Sequence, residues 1–157
     1  RSPAGVFALS LAFGKADKTE PDVKDIKLQY TQITSHVWGV DDVKSKYYNR
    51  IADDQLVQKD WDSAEDMQRY ANEGVYEFGV VIEHNYEHPI PGKGSCFFIH
   101  VHRRPGAPTG GCTAFARDIV KEVLCWLDPS KKPILVQFPK AIFAELTHDW
   151  NLPDFSV

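Results

Sequence analysis

Two histidines and one cysteine carry the clearest chemistry in this sequence. His100 and His102 stand at alternate positions in the apolar run Cys96-Phe97-Phe98-Ile99-His100-Val101-His102, and Cys112 follows His100 by twelve residues. Alternate residues of a strand point to one face, so the two imidazoles are expected to project together. The connecting stretch holds Pro105, Gly106, Pro108, Gly110 and Gly111 and reads as a loop. From about Thr113 to Leu127 the pattern is that of a helix, which puts Cys112 at a helix N-terminus. Unpaired backbone N–H groups, the helix dipole and a neighbouring imidazolium stabilise a thiolate at such a place. Gly110 and Gly111 allow a tight turn and a close approach of backbone to substrate. The N–H groups of Gly111, Cys112 and Thr113 could then face a developing oxyanion. A base on a strand and a nucleophile at the next helix start make a Cys–His dyad for acyl transfer.

Other readings of the same residues stay open at this level. Cys112 can be a small buried residue and His100 a satisfied core histidine. His100, His102, Cys112 and His84 together could form a catalytic-type zinc site, although no CxxC or HExxH spacing accompanies them, and no metal or other cofactor is assigned. His36, His88 and His148 read as ordinary surface positions. The chain has 3 cysteines, so at least one thiol is free. Cys96 and Cys125 read as structural thiols, and a disulfide between them is left open.

These groups need elements to hold them. Ala4–Leu11, Ile26–Ile33, Val75–Ile82, Cys96–His102 and Ile134–Phe138 read as strands. Lys15–Lys27 is polar and reads as a surface loop, and Asn85–Gly94 separates two core strands. Asp62–Tyr70 looks like a short helix with acidic residues in its first turn. In the longer helix Ile119, Val120, Val123, Leu124 and Leu127 form the buried stripe, and Asp128-Pro129 ends it. Consecutive strands joined by loops favour antiparallel pairing. The fold class expected is mainly β, with one or two helices covering the sheet.

Composition sets the outer bounds. The 157 residues, 43% of them hydrophobic, suit one domain with a sizeable core. A net charge of -4 argues against a nucleic-acid or anionic-membrane surface. No run approaches the ~18 apolar residues that cross a bilayer, so no transmembrane segment is expected. The chain opens on Arg1 and not on Met, which suggests a processed or trimmed product, so the lack of a signal peptide says nothing about compartment.

Gly94-Ser95-Cys96-Phe97-Phe98-Ile99-His100, followed by Pro108-Thr109-Gly110-Gly111-Cys112-Thr113-Ala114, resembles the catalytic domain of the L,D-transpeptidase (YkuD-type) family. The opening Arg1-Ser2-Pro3-Ala4-Gly5-Val6-Phe7 is similar to that family's entry segment. Tyr48-Asn49, Asp60–Met67, Leu124–Pro129 and Pro133–Val136 resemble a divergent branch of it. The resemblance covers nearly the whole chain. It implies a YkuD-like β-sandwich or barrel, with upstream strands of the domain expected before Arg1. It also implies an extracytoplasmic (periplasmic) monomer acting on peptidoglycan stem peptides as donor and acceptor. Carried over to this chain, Cys112 is the nucleophile, His100 the general base, and Gly111–Cys112–Thr113 the oxyanion hole. Thr109 would orient the turn or the imidazole, and His102, Gly110, Trp38, Asn49 and Asn85 are candidate substrate contacts. Core packing is the expectation for Trp61 and Trp126, and Asp41 and Asp42 fit either contacts to the stem's amines or a solvated loop. The chain departs from the commonest pattern in having Gly110 where a histidine usually precedes the Gly-Cys pair, Ala114 where an arginine stands, and a short loop before Cys112. The implied activity is transpeptidation through a Cys thioester with release of terminal D-Ala. The same dyad run with water gives an L,D-carboxypeptidase or endopeptidase, and a non-catalytic or zinc-binding cell-wall module is the alternative from another class.

Overall fold

The structure, a computed structural model, describes residues 1–153. The larger of two sheets is built on β1 (Gly5–Gly14), β2 (Gln29–Gln32), β6 (Phe78–Ile82), β7 (Phe98–Val101), β8 (Thr113–Phe115) and β9 (Ile134–Gln137). Its order is β2-β1-β6-β7-β8, with β9 pairing the first half of β1. The smaller sheet has the order β4-β3-β5, from β3 (Val37–Val40), β4 (Arg50–Asp53) and β5 (Ala64–Asp66). Among the described residues three α-helices accompany them: α1 (Met67–Asn72), α2 (Arg117–Trp126) and α3 (Lys140–Asp149). The chain is therefore mainly β, with one helix more than the one or two expected.

Strand alternation divides the core into two layers. Phe78, Val80 and Ile82 of β6, with Ile99 and Val101 of β7, pack on Val120 and Leu124 from α2 and on Leu127 at its C-cap. Phe13, Val81 and Phe98 face the other way and meet Val37, Met67 and Ala71, so α1 and the small sheet cover that side. All five residues of β6 are buried because both faces of the sheet are covered. His100 shares the parity of Phe98 and turns toward the small-sheet side. Opposite it on β6 stands Gly79, where an added Cβ would lie 2.5 Å from the Ile99 carbonyl and 2.6 Å from the Phe13 ring. Only glycine admits that approach of ring to backbone.

Several sequence expectations are corrected here. Helix α2 begins at Arg117 and not at Thr113. Thr113–Phe115 instead runs as a strand parallel to β7, with Ile99 opposite Thr113 and His100 opposite Ala114. The reason is the free edge of β7, whose backbone groups need partners; β8 supplies them, and the His102 N–H bonds the Phe115 carbonyl at 2.8 Å. This pairing and that of β1 with β2 are parallel, against the antiparallel expectation, which the β1–β6, β1–β9, β6–β7, β3–β4 and β3–β5 pairs meet. Helix α1 starts at Met67, not Asp62, because Ala64–Asp66 pairs with β3 and the Asp66 carboxylate then caps the helix on Arg69 N–H at 2.9 Å. Its first turn accordingly holds no acidic residue. Val23 and Ile26 anchor the polar Lys15–Lys27 stretch to the core. Trp61 is buried as expected, but Trp126 is 76% exposed and Ile119 43% exposed, since the face of α2 that meets the sheet is narrower than the apolar stripe.

Candidate active site

Cys112, His100, His102, Thr109, Gly110 and Gly111 line one pocket of about 350 Å³. Loop closure between β7 and β8 brings them together. The parallel register sets Cys112 one step before the Ile99–Thr113 pair, level with Phe98, whose N–H donates to Cys112 Sγ at 3.4 Å. The thiol in turn donates to the Cys96 carbonyl at 3.5 Å. Cys96 adopts φ 55, uncommon for a residue with a Cβ, and its N–H is held by Asn49 Oδ1 at 2.8 Å.

The turn before Cys112 is fixed from two sides. Thr109 Oγ1 accepts from Gly111 N–H at 3.3 Å and donates to the Cys112 carbonyl at 2.7 Å. Thr109 thus organises the turn, one of its two expected roles. Gly111 has φ 152, and a Cβ there would lie 2.4 Å from the Phe97 ring and 3.1 Å from the Arg1 carbonyl. The Gly111 N–H is committed to Thr109, so it is not an idle oxyanion donor in this conformation. Thr113 faces elsewhere: its hydroxyl donates to Gln137 Oε1 at 2.6 Å, and Gln137 in turn donates to the Pro3 carbonyl at 2.7 Å. Those residues line a second pocket of about 500 Å³, which shares Ala107, Thr109, Cys112 and Ala114 with the first.

His100 is buried, and its Nδ1 lies 2.8 Å from the Val101 carbonyl. A carbonyl can only accept, so Nδ1 carries the proton and Nε2 keeps its lone pair. Burial lowers the His100 pKa, against a smaller opposing effect of the Val101 bond, so the imidazole is a neutral base. Burial also pushes the Cys112 thiol up to about 12; the Phe98 N–H opposes this and Glu65 adds to it. The expectation of a preformed thiolate at a helix N-terminus is corrected. The helix starts five residues further on, the imidazole is neutral, and Cys112 rests as a thiol.

Two residues that the sequence did not single out complete the wall. Tyr76, buried between strands, packs its ring edge-on to His100 at 5.3 Å between centroids. Its hydroxyl donates to Glu65 Oε2 at 2.7 Å. Burial, the largest influence, raises the pKa of Glu65, the Tyr76 bond lowers it, and Asp41 raises it. Arg103 stands at the rim of the same pocket and pairs with Glu73 at 2.6 Å. Glu65 was legible only as part of a helical pattern, and Tyr76 as one more apolar residue in a strand.

Trp38, Asn49 and Asn85 lie outside this pocket. The Trp38 indole donates to Asp54 at 2.8 Å and packs with Val40, Ala52 and Trp61. Asn49 is a clamp: besides Cys96 N–H it bonds the carbonyls of His84 at 3.0 Å and Asn85 at 2.6 Å. Asn85 does the same for the following loop, donating to Ile90 and Gly94 and accepting from Ile90 N–H. Asp41 and Asp42 hold the Ser63 hydroxyl and the backbone N–H groups of Lys44 and Asp62. Among the described residues no cluster of three or more His, Cys, Asp or Glu side chains could hold a metal ion. His84, the fourth member of the zinc alternative, bonds the Lys93 carbonyl and packs between Phe7 and Phe97. No protein-family model, curated protein or solved structure matches the chain. Among the described residues no helix is long and apolar enough to cross a membrane.

Proposed function

We propose that this protein is a cysteine-dependent acyltransferase of the L,D-transpeptidase (YkuD-type) kind, working on peptidoglycan stem peptides outside the cytoplasm. The observation that carries the reading is a pocket holding a thiol, Cys112, and a neutral imidazole, His100, whose Nε2 is free to take a proton. In the first half-reaction Sγ attacks the carbonyl carbon preceding the donor's terminal D-Ala, and the thiol proton passes to His100. The C–N bond then breaks, and D-Ala leaves as an amine that takes the proton back from His100. In the second half an acceptor amine attacks the thioester, gives its proton to His100, and the C–S bond breaks to restore the thiol. Because the resting group is a thiol, proton removal has to accompany attack, which is the task of a general base.

A second pocket meeting the first at Cys112 supports transfer over hydrolysis, since a thioester there has one cavity for the acyl chain and another for an acceptor. Incubation with a carbapenem, an acylating mimic of the stem terminus, is expected to add the drug's mass to wild type, Cys96→Ala and Cys125→Ala, but not to Cys112→Ala. An adduct that persists in Cys112→Ala, or none on any cysteine, would sink the dyad. Digestion of disaccharide-tetrapeptides is expected to give crosslinked dimers; release of D-Ala alone would move the assignment to a carboxypeptidase.

A further inference from the structure

The thiol proton of Cys112 does not rest on the proposed base. Its hydrogen bond runs to the Cys96 carbonyl at 3.5 Å, and among the described residues none joins Sγ to His100, whose bonded nitrogen is Nδ1. That carbonyl belongs to an unusual piece of backbone. Cys96 has φ 55, a left-handed conformation that is costly for a residue with a Cβ. Two contacts hold it there. Its N–H donates to Asn49 Oδ1 at 2.8 Å, and its thiol donates to the Val40 carbonyl at 3.6 Å. The Asn49 amide is fully used: Nδ2 donates to the His84 and Asn85 carbonyls, so Oδ1 is the atom that faces Cys96. Asn49 is itself buried, and its N–H donates to the same Val40 carbonyl at 2.8 Å. Asn49 and Cys96 thus hang from one point at the end of β3, which leaves the Cys96 carbonyl turned to Cys112.

We propose that Asn49 is a positioning residue for the nucleophile: by holding Cys96 left-handed it turns the Cys96 carbonyl onto Cys112 Sγ, so the thiol proton rests on backbone and reaches His100 only when the S–H bond rotates. Its part in acyl transfer rests on the reading above; the arrangement of the thiol rests on the hydrogen bonds alone. The sulfur has an acceptor for its proton at residue 96 and a donor in the Phe98 N–H, both from one stretch of backbone. As attack begins, the proton turns from the carbonyl to His100 Nε2. The Phe98 N–H stays on the sulfur, where negative charge develops. At rest the carbonyl favours the protonated form, since its oxygen stabilises S–H and repels a thiolate. Cys112 is thereby kept less reactive toward stray electrophiles.

The test reads the thiol itself. The infrared S–H stretch lost in Cys112→Ala identifies the Cys112 band, and in wild type it is expected at the lower wavenumber of a bonded thiol. Asn49→Gly, which suits φ 61 and deletes only the amide, should move the band to the free-thiol position. Asn85→Gly, which loosens the next loop but leaves Asn49 bonded to Cys96, should not move it. Cys96→Gly removes the Cβ that makes the left-handed turn costly, so Asn49→Gly/Cys96→Gly should regain the bonded band. A purely structural Asn49 would not be rescued in this way. In the His100→Ala background, Asn49→Gly should speed alkylation of Cys112 by iodoacetamide at pH 8 about threefold, the scale of one weak hydrogen bond, and Asn85→Gly should leave the rate unchanged. A free band in wild type, an unmoved band or rate in Asn49→Gly, a shift in Asn85→Gly, or a free band in the double variant overturns the proposal. If Asn49→Gly alone does not fold, the double variant carries the test; failure of both to fold makes Asn49 a structural residue and also overturns it. No acyl donor enters these measurements. A band that moves beside a missing carbapenem adduct removes only the acyl-transfer reading, and an adduct beside an unmoved band removes only the role of Asn49.

Discussion

At the scale of single residues, the site is set by desolvation. Burial acts on Cys112 and His100 in opposite directions, raising the thiol and lowering the imidazole, so both groups rest uncharged. An ion-pair dyad would show high intrinsic thiol reactivity at neutral pH, whereas this pair calls for proton transfer during attack. The pH profile follows from the sign. As the proposed base, His100 would work when unprotonated, and its pKa lies below the usual 6.5, so the acid limb of carbapenem acylation should fall below pH 6.5. In His100→Ala, which lacks the base, alkylation of Cys112 by iodoacetamide should rise about tenfold per pH unit between pH 7 and 10. A plateau in that rate near neutrality would show a thiolate and refute the resting state drawn here. The close fits at Gly111 and Gly79 belong to the same scale, because each admits an aromatic ring where a Cβ would stand.

At the scale of elements, β7 and β8 carry the site, and both owe their state to pairing rather than propensity. The segment after Cys112 has an amphipathic pattern from its start, yet its first three residues are more valuable as the edge partner of β7. Helix formation is deferred to Arg117. Helix α2 then covers the sheet with Val120 and Leu124, joined by Leu127 at its C-cap, while Trp126 turns to solvent. Leu124→Ala should destabilise the protein by about 2–5 kcal/mol, because it opens a cavity at a site that is 1% exposed. Trp126→Ala should stay within about 0.5 kcal/mol of wild type despite removing a larger side chain. Chemical denaturation of the two variants checks the contrast, and equal losses would mean that Trp126 packs in the core as first expected.

At the scale of the whole molecule, the large sheet partitions the cysteines. Cys96 belongs to the core on the small-sheet side, and Cys125 packs against the core under α2. The sheet lies between them, so the pairing left open by the sequence is not made, and all three thiols are free. Denaturing alkylation without reductant should therefore add three labels per chain, and a count of one would restore the disulfide. The same two-layer arrangement explains why the site opens where it does. The small sheet and α1 cover the Phe98 face of the large sheet but leave a gap beyond His100, and the loop ending in Thr109–Gly111 forms its rim.

The sequence makes legible the candidate site residues that lie close along the chain. His100, His102, Thr109, Gly111 and Cys112 fall within thirteen residues, and strand parity with a Gly-rich turn suffices to bring them to one place. It also determined the mainly β class, because β-branched and aromatic runs of five or more residues announce themselves. The short strands β3, β4 and β5 gave no such signal, since three or four residues are too few to show a period. The fold makes Thr113–Phe115 a strand, because a free sheet edge outweighs a local helical pattern. It alone brought Glu65 and Tyr76 from β5 and the approach to β6 to the thiol, and showed Asn49 and Asn85 to be clamps. Charge state came last: a thiol and an imidazole are ordinary in sequence, and burial, which the fold imposes, fixes which proton each one holds.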